Sequence, residues 1–340
     1  MHGGEARTAR TGGLNMHRRA FLTASASALA SGLLGGCVSR TGNRRATWID
    51  APMDAAAFHA ARRYATTGFG DIAYVERGAG PAALFLHGFP LNGFQWRGAL
   101  ERLSPYRRCI APDFLGMGYT QVAAGQSFAP EAQVQMLLAL LDALSVSRVD
   151  VVANDSGGAV AQLLVARHRE RVRTLLLTNC DTEHDSPPPA LRPVIALAKR
   201  GRFVDERLRK WHADTALARS PEGIGGLCYA DPAQPTDEAI DTYFAPLLST
   251  QRCTDNAHAY AMALERNALA GIGPALRRCR VPTRIVWGTG DTIFSADSPR
   301  RLDHDFGHLR GVRLLEGSKL FWPEERPDMI AEEALRLWSA

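Results

Sequence analysis

An apolar run at 151–153 breaks into Asn154-Asp155-Ser156-Gly157-Gly158 and then turns apolar again. A turn of that composition can present a carboxylate, a hydroxyl or neither. A carboxylate at 155 attacks carbon directly and forms an ester with no base to activate it, whereas a hydroxyl at 156 needs a base. The plainer alternative is a strand-to-helix turn in which Asp155 or Ser156 caps a helix that starts near Gly157. Three other places carry candidate groups: His87-Gly88-Phe89-Pro90, Cys180-Asp181 and Gly288-Thr289-Gly290-Asp291. Each ends a short apolar run. If those runs are neighbouring strands, a nucleophile, acids and backbone donors gather beyond one edge of a sheet, where open α/β sheets bind ligands.

The elements that must position these groups follow a regular rhythm. Strand-like runs at 72–78, 82–88, 107–113, 149–155 and 172–181 alternate in the later part with helical patterns at 94–104, 130–144 and 157–169. Strands then vanish, and helical periodicity alone fills 186–279, before runs at 282–291 and 311–317 and a closing helix at about 325–338. The expected fold class is α/β: a core at 50–185 and 280–340 with a mostly parallel sheet covered by helices on both faces. The helical insertion at 186–279 is expected to roof the site, supply an apolar pocket and set substrate choice.

With 340 residues, 46% of them hydrophobic, the chain can bury a large core. Its formal charge of +5 falls to +2 once the residues before Cys37 are set aside, so nothing calls for a nucleic-acid partner. The basic excess precedes an uncharged run at 20–36, the layout of a secretory signal. Arg18-Arg19 in "HRRAFLT" resembles a twin-arginine export motif, and "LGGC" at 34–37 resembles a lipobox. Residues 1–37 are thus expected to be a signal segment, with Cys37 carrying a lipid that anchors an exported, periplasmic or cell-envelope lipoprotein to a membrane. The remaining cysteines, 109, 180, 228, 253 and 279, show no metal-like spacing. Cys109 and Cys180 are expected in the core, and Cys228 could bridge to Cys253 or Cys279 in an oxidising compartment.

The set formed by "HGFP" at 87–90, "APDFLGMG" at 111–118, "NDSGG" at 154–158, "WGTGD" at 287–291 and "FWPEERP" at 321–327 resembles the α/β-hydrolase fold. The likeness covers most of 60–340 and is strongest to the branch with an aspartate nucleophile, which holds haloalkane dehalogenases, fluoroacetate dehalogenases and soluble epoxide hydrolases. It implies an eight-stranded, mostly parallel sheet with a helical cap. It also implies a turn so tight that the residues two before and two after the nucleophile must be small. Ala153 and Gly157 fit that demand around Asp155, while Asn154 is bulky for a turn centred on Ser156. The backbone N–H groups of Phe89 and Ser156 would form an oxyanion hole, and Asp291, or else Asp181, would be the supporting acid. No metal or organic cofactor is implied, and the partner is a small-molecule substrate. His87 and Asp113 are expected to have structural roles in their loops, and Trp96 a place in the core.

Two departures stand out. The family's last catalytic member is a histidine after the final strand, and that position is Leu320 here. Without a base, an ester formed on Asp155 would not be released. His184, which follows the strand ending at Asp181, and His212, in the insertion, are held as possible substitutes. The second departure is Ser156, which stands where haloalkane dehalogenases carry a halide-gripping tryptophan. Epoxide hydrolases use cap tyrosines to protonate the opening ring, and Tyr229, Tyr243 and Tyr260 are available. The expected reaction is hydrolysis of an alkyl halide, an epoxide or an ester in a small, mostly apolar molecule. The alternatives are a binding lipoprotein that kept the fold without turnover, and a serine esterase using Ser156.

Overall fold

A computed structural model describes residues 53–339, so the signal segment and Cys37 lie outside the described residues. Nine strands make one sheet: β1 Arg62–Thr67, β2 Gly70–Arg77, β3 Ala82–Leu86, β4 Arg108–Pro112, β5 Gln121–Val122, β6 Val149–Asp155, β7 Val172–Cys180, β8 Thr283–Gly288 and β9 Leu309–Leu315. Their order is β1-β2-β4-β3-β6-β7-β8-β9, with β5 paired to β2. The β1–β2–β4 pairings are antiparallel, and every pairing from β4 across to β9 is parallel.

The central strands β3, β6 and β8 are buried along their whole length. That is why they read as continuous apolar runs and not as alternating ones. The sheet has nine strands where eight are expected because the two-residue β5 adds to the free side of β2. Strand β1 escaped the sequence reading for a related reason: of Arg62–Thr67 only Ala65 is buried, so the segment carries no hydrophobic signal.

The helix Ser156–Arg167 leaves the end of β6 and is buried from Ser156 to Val165. Between β7 and β8, helices alone occur among the described residues, the longest being Asp237–Leu248 and Gln251–Ala263. Thr236 and Thr250 cap these two, each accepting a hydrogen bond from the backbone N–H three residues on. Trp96 is fully buried. All five described cysteines are free, so Cys228 bridges neither Cys253 nor Cys279.

The helix Pro327–Trp338 is clamped to the sheet by charge. Glu333 is fully buried, bonds the guanidinium of Arg284 on β8, and meets Arg313 Nη1 of β9 at 2.5 Å. Removing one member of such a cluster strands the others without a partner. Glu333→Ala should therefore lower the unfolding free energy by about 3–5 kcal/mol, read by urea denaturation.

Candidate active site

Strand β6 ends at Asp155, whose backbone has φ +55° and ψ −132° and leads directly into the helix beginning at Ser156. A non-glycine residue at positive φ costs on the order of 1–3 kcal/mol and persists only where its surroundings enforce it. The enforcement is visible on both sides. A Cβ on Gly157 would lie 2.6 Å from the carbonyl oxygens of Leu86 and His87, and one on Gly158 would lie 2.3 Å from Cys180 Cβ. Two successive glycines thus let the chain pass between the ends of β3 and β7. The β6–β7 register shift between Ala153 and Asp155 sets Asp155 opposite Cys180, which brings Asp181 to the same edge.

The bend delivers the Asp155 side chain to backbone donors. Phe89 N–H donates to Asp155 Oδ2 at 2.7 Å, and Ser156 N–H also donates to this carboxylate. Gly88 makes the approach possible, since a Cβ there would sit 2.7 Å from Oδ2. Asp155 is 8% exposed. Burial pushes its pKa up to about 7, against the two N–H donors that stabilise the anion, and the negative charge of Asp291 adds to the rise.

Asp155 and Ser156 open onto a cavity of about 110 Å³. That is somewhat smaller than the ~150 Å³ void known to accept benzene. The helical insertion forms its roof with Val194, Phe203, Trp211, Ile224 and Leu227, and the sheet side contributes Phe89, Asp181, Leu320 and Phe321. Apolar walls converge on three polar side chains, Asp155, Ser156 and Asp181.

The other candidates fall at different distances from this cavity. Asp181 is 7% exposed and lines it; burial, reinforced by the Asp155 charge, drives its pKa well up. Asp291 does not line it. Its carboxylate accepts from Asn179 Nδ2 and from Ile293 N–H, both at 2.8 Å, and burial raises its pKa. His87 is fully buried behind the site: Phe114 N–H donates to Nε2, so Nδ1 carries the proton and donates to Gly88 O. Burial lowers its pKa to about 4 and keeps it neutral, a structural role. Asp113 likewise holds its loop, accepting from Gly93 and Tyr119 N–H.

Among the described residues no imidazole lines the cavity. His212 turns to Asp241 at 2.8 Å, and His184 is exposed and faces Asp305. Neither lines the cavity, so neither can act as a base at Asp155 from its present position. Leu320 is 3% exposed and lines the cavity. Of the cap tyrosines, Tyr229 donates to Glu324 at 2.6 Å and Tyr243 faces the same Glu324 with Arg97. Tyr260 alone turns to the elbow, stacked on Phe89 with its hydroxyl beside Ser156, though no well-formed hydrogen bond joins them.

Asn154 is the residue whose role the sequence did not disclose. Its Oδ1 accepts from Gln95 Nε2, while Nδ2 donates to Thr178 Oγ1 and to the carbonyls of Asn179 and Leu320. Gln95 in turn accepts from Gly88 N–H. One buried amide thereby ties together the loops at 88 and 320 and the end of β7. The only signal was a polar residue inside an apolar strand, which weighed as bulk and not as a junction.

A family model described as the alpha/beta hydrolase fold matches residues 81–220. A haloalkane dehalogenase from Mesorhizobium japonicum is 43% identical over 108 residues, 30% of this chain and 33% of that protein; the match thus spans about a third of the relative. Haloalkane dehalogenase 2 of Mycobacterium tuberculosis is 29% identical over 292 residues, 83% of this chain and 96% of that one. An epoxide hydrolase solved without ligand shares the fold with a TM-score of 0.68 at 19% identity, covering 82% of this chain and 98% of its own.

The raised pKa of Asp155 has a consequence for stability. The unfolded group titrates near the ordinary aspartate value of 3.8 and the folded group at about 7, so its favourable contribution is complete below the first value and lost as pH rises through the second. Asp155→Asn lacks that loss. Its melting temperature should match the parent's near pH 4 and exceed it progressively up to about pH 7, with a gain of roughly 2–4 kcal/mol at pH 8.

Proposed function

We propose, from its similarity to the alpha/beta hydrolase fold family over residues 81–220 and to haloalkane dehalogenases over part or most of their length, that the chain is an α/β-hydrolase-superfamily hydrolase on the dehalogenase and epoxide-hydrolase side, with Asp155 as its nucleophile. Its substrates are small, mostly apolar molecules with an electrophilic carbon: an alkyl halide, an epoxide or an ester. The observation that carries this reading is the Asp155 carboxylate, set on the N–H groups of Phe89 and Ser156 at the floor of an apolar cavity. One oxygen held on fixed donors leaves the other free to attack. The same donors then face the oxyanion that forms when water adds to the ester carbonyl. Ser156 is a poorer nucleophile in this setting, because no imidazole among the described residues lines the cavity to take its proton.

One observation favours a second reading, a binding protein that keeps the fold and pocket without turnover: Leu320 stands where the base would be. The two readings differ at the ester. Incubation with 1-bromobutane should add a butyl group to Asp155, detected by peptide mass spectrometry, and Asp155→Asn should abolish it. If the parent protein hydrolyses halides and epoxides while Asp155→Asn does so equally well, the nucleophile is elsewhere.

An exported, lipid-anchored location is proposed from residues 18–37 alone, where Arg18-Arg19, the uncharged run and Cys37 follow one another. Cys37→Ser should move the protein from the membrane fraction to the soluble fraction of the producing cells, and unchanged partition would dismiss the anchor.

A further inference from the structure

We propose that Asp181 carries out the proton transfers that a histidine would otherwise perform, first as acid and then as base, and that the favoured substrate is consequently an epoxide. This rests on Asp155 being the nucleophile. Three observations lead to it. Besides Asp155, the ionisable side chains that line the cavity among the described residues are Asp181 and the thiol of Cys228, and Asp181 is the carboxyl of the two. Asp291, the other acid at the sheet edge, spends its carboxylate on Asn179 and Ile293. Finally, Ser156 lines the same cavity with a buried hydroxyl that makes no well-formed hydrogen bond, the Tyr260 hydroxyl beside it included, so a polar atom of a ligand can be met there.

The two carboxyls divide their roles by environment. Asp155 has the Phe89 and Ser156 N–H donors that favour its anion. Asp181 is faced by the Ser186 hydroxyl and its own N–H, and the charged groups around it, Asp155 and Asp185, are both acidic. Like charges at one site disfavour double ionisation, so the resting pair is an Asp155 anion with a protonated Asp181.

The cycle then balances. Asp155 attacks an epoxide carbon, the ring C–O bond breaks, and the ring oxygen takes the proton of Asp181, leaving a hydroxyalkyl ester and an Asp181 anion. Esterification has removed the Asp155 charge, which permits Asp181 to be ionised. Asp181 now takes a proton from water as the water oxygen adds to the ester carbonyl, whose oxyanion meets the Phe89 and Ser156 N–H groups. Collapse of the adduct breaks its bond to the alkoxy oxygen, and the proton of the added hydroxyl passes to that oxygen. The diol leaves, with Asp155 again an anion and Asp181 again protonated. A halide departs without a proton, so after alkylation by a halide Asp181 is still an acid, and ester release waits for it to deprotonate to solvent.

The test compares 1,2-epoxybutane with 1-bromobutane in the full chain, Asp181→Asn and Asp155→Asn. The unsubstituted protein should form diol over many turnovers and release the butyl ester more slowly. In Asp181→Asn, diol formation should fall about 100-fold or more. Its alkylation by 1-bromobutane should stay near the parent rate, with an ester on Asp155 that persists. Diol formation by Asp181→Asn at the parent rate would overturn the proposal, as would a parent protein that accumulates ester from the epoxide and never releases it. Absence of any adduct on Asp155 in all three chains, with Asp155→Asn still active, would instead overturn the nucleophile. A second measurement needs no variant: release of a preformed butyl ester from the unsubstituted chain should rise with pH and level off as one carboxyl ionises. A rate that climbs tenfold per pH unit from 7 to 10 would mean hydroxide, not Asp181, and would overturn the proposal.

Discussion

The site depends on a steric constraint at the end of β6, where the chain turns between the Leu86 and His87 carbonyls at the end of β3 and the side chain of Cys180 on β7. Gly157 lies so close to the Leu86 and His87 oxygens, and Gly158 so close to Cys180, that neither tolerates a Cβ without movement. That packing holds Asp155 at positive φ and aims its carboxylate at Phe89 N–H. The cost of the bend is met by the buried strands β3 and, over all but Arg173, β7, whose pairing with β6 fixes where the turn can occur. Asn154 extends the same control outward, because its amide holds the loop carrying Leu320 against the elbow.

The electrostatics follow from where the bend points. A carboxylate delivered into an apolar cavity loses water, and two N–H donors only partly replace it, so Asp155 sits near neutrality in its titration. Asp181, brought to the same edge by the strand register, is held more strongly in the neutral form by burial and by the Asp155 charge. With no imidazole lining it among the described residues, the cavity contains two carboxyls that burial raises, Asp181 being the more reluctant to ionise. This separation is what acid–base chemistry requires of two like groups. Leu320 contributes by keeping the cavity apolar, which sustains the separation.

Much of this arrangement was legible in the residues. The α/β rhythm was readable because buried parallel strands are continuous apolar runs, and the turn at 154–158 was readable because only small residues can flank so sharp a bend. β1 and β5 were not, as one is mostly exposed and the other is two residues long. Among the site residues, Asp155, Ser156 and Phe89 could be placed because they are adjacent in sequence to glycines that announce the turn. Asp181 and Asp291 were indistinguishable as acids at strand ends. Only the three-dimensional course of the loops shows that Asp181 faces the cavity while Asp291 is bound up with Asn179. The junction made by Asn154 spans four segments far apart in the chain, and no local pattern encodes it.

The central claim is that the carboxyl of residue 155 occupies a dry cavity on backbone donors, and titration of that single group tests it most directly. With aspartate 13C-labelled at the side-chain carboxyl, and the Asp155 signal assigned by its disappearance in Asp155→Asn, the shift can be followed from pH 4 to 9. The account predicts a midpoint near 7. A midpoint below 5, the range of a solvated carboxylate, would place Asp155 in water and contradict it.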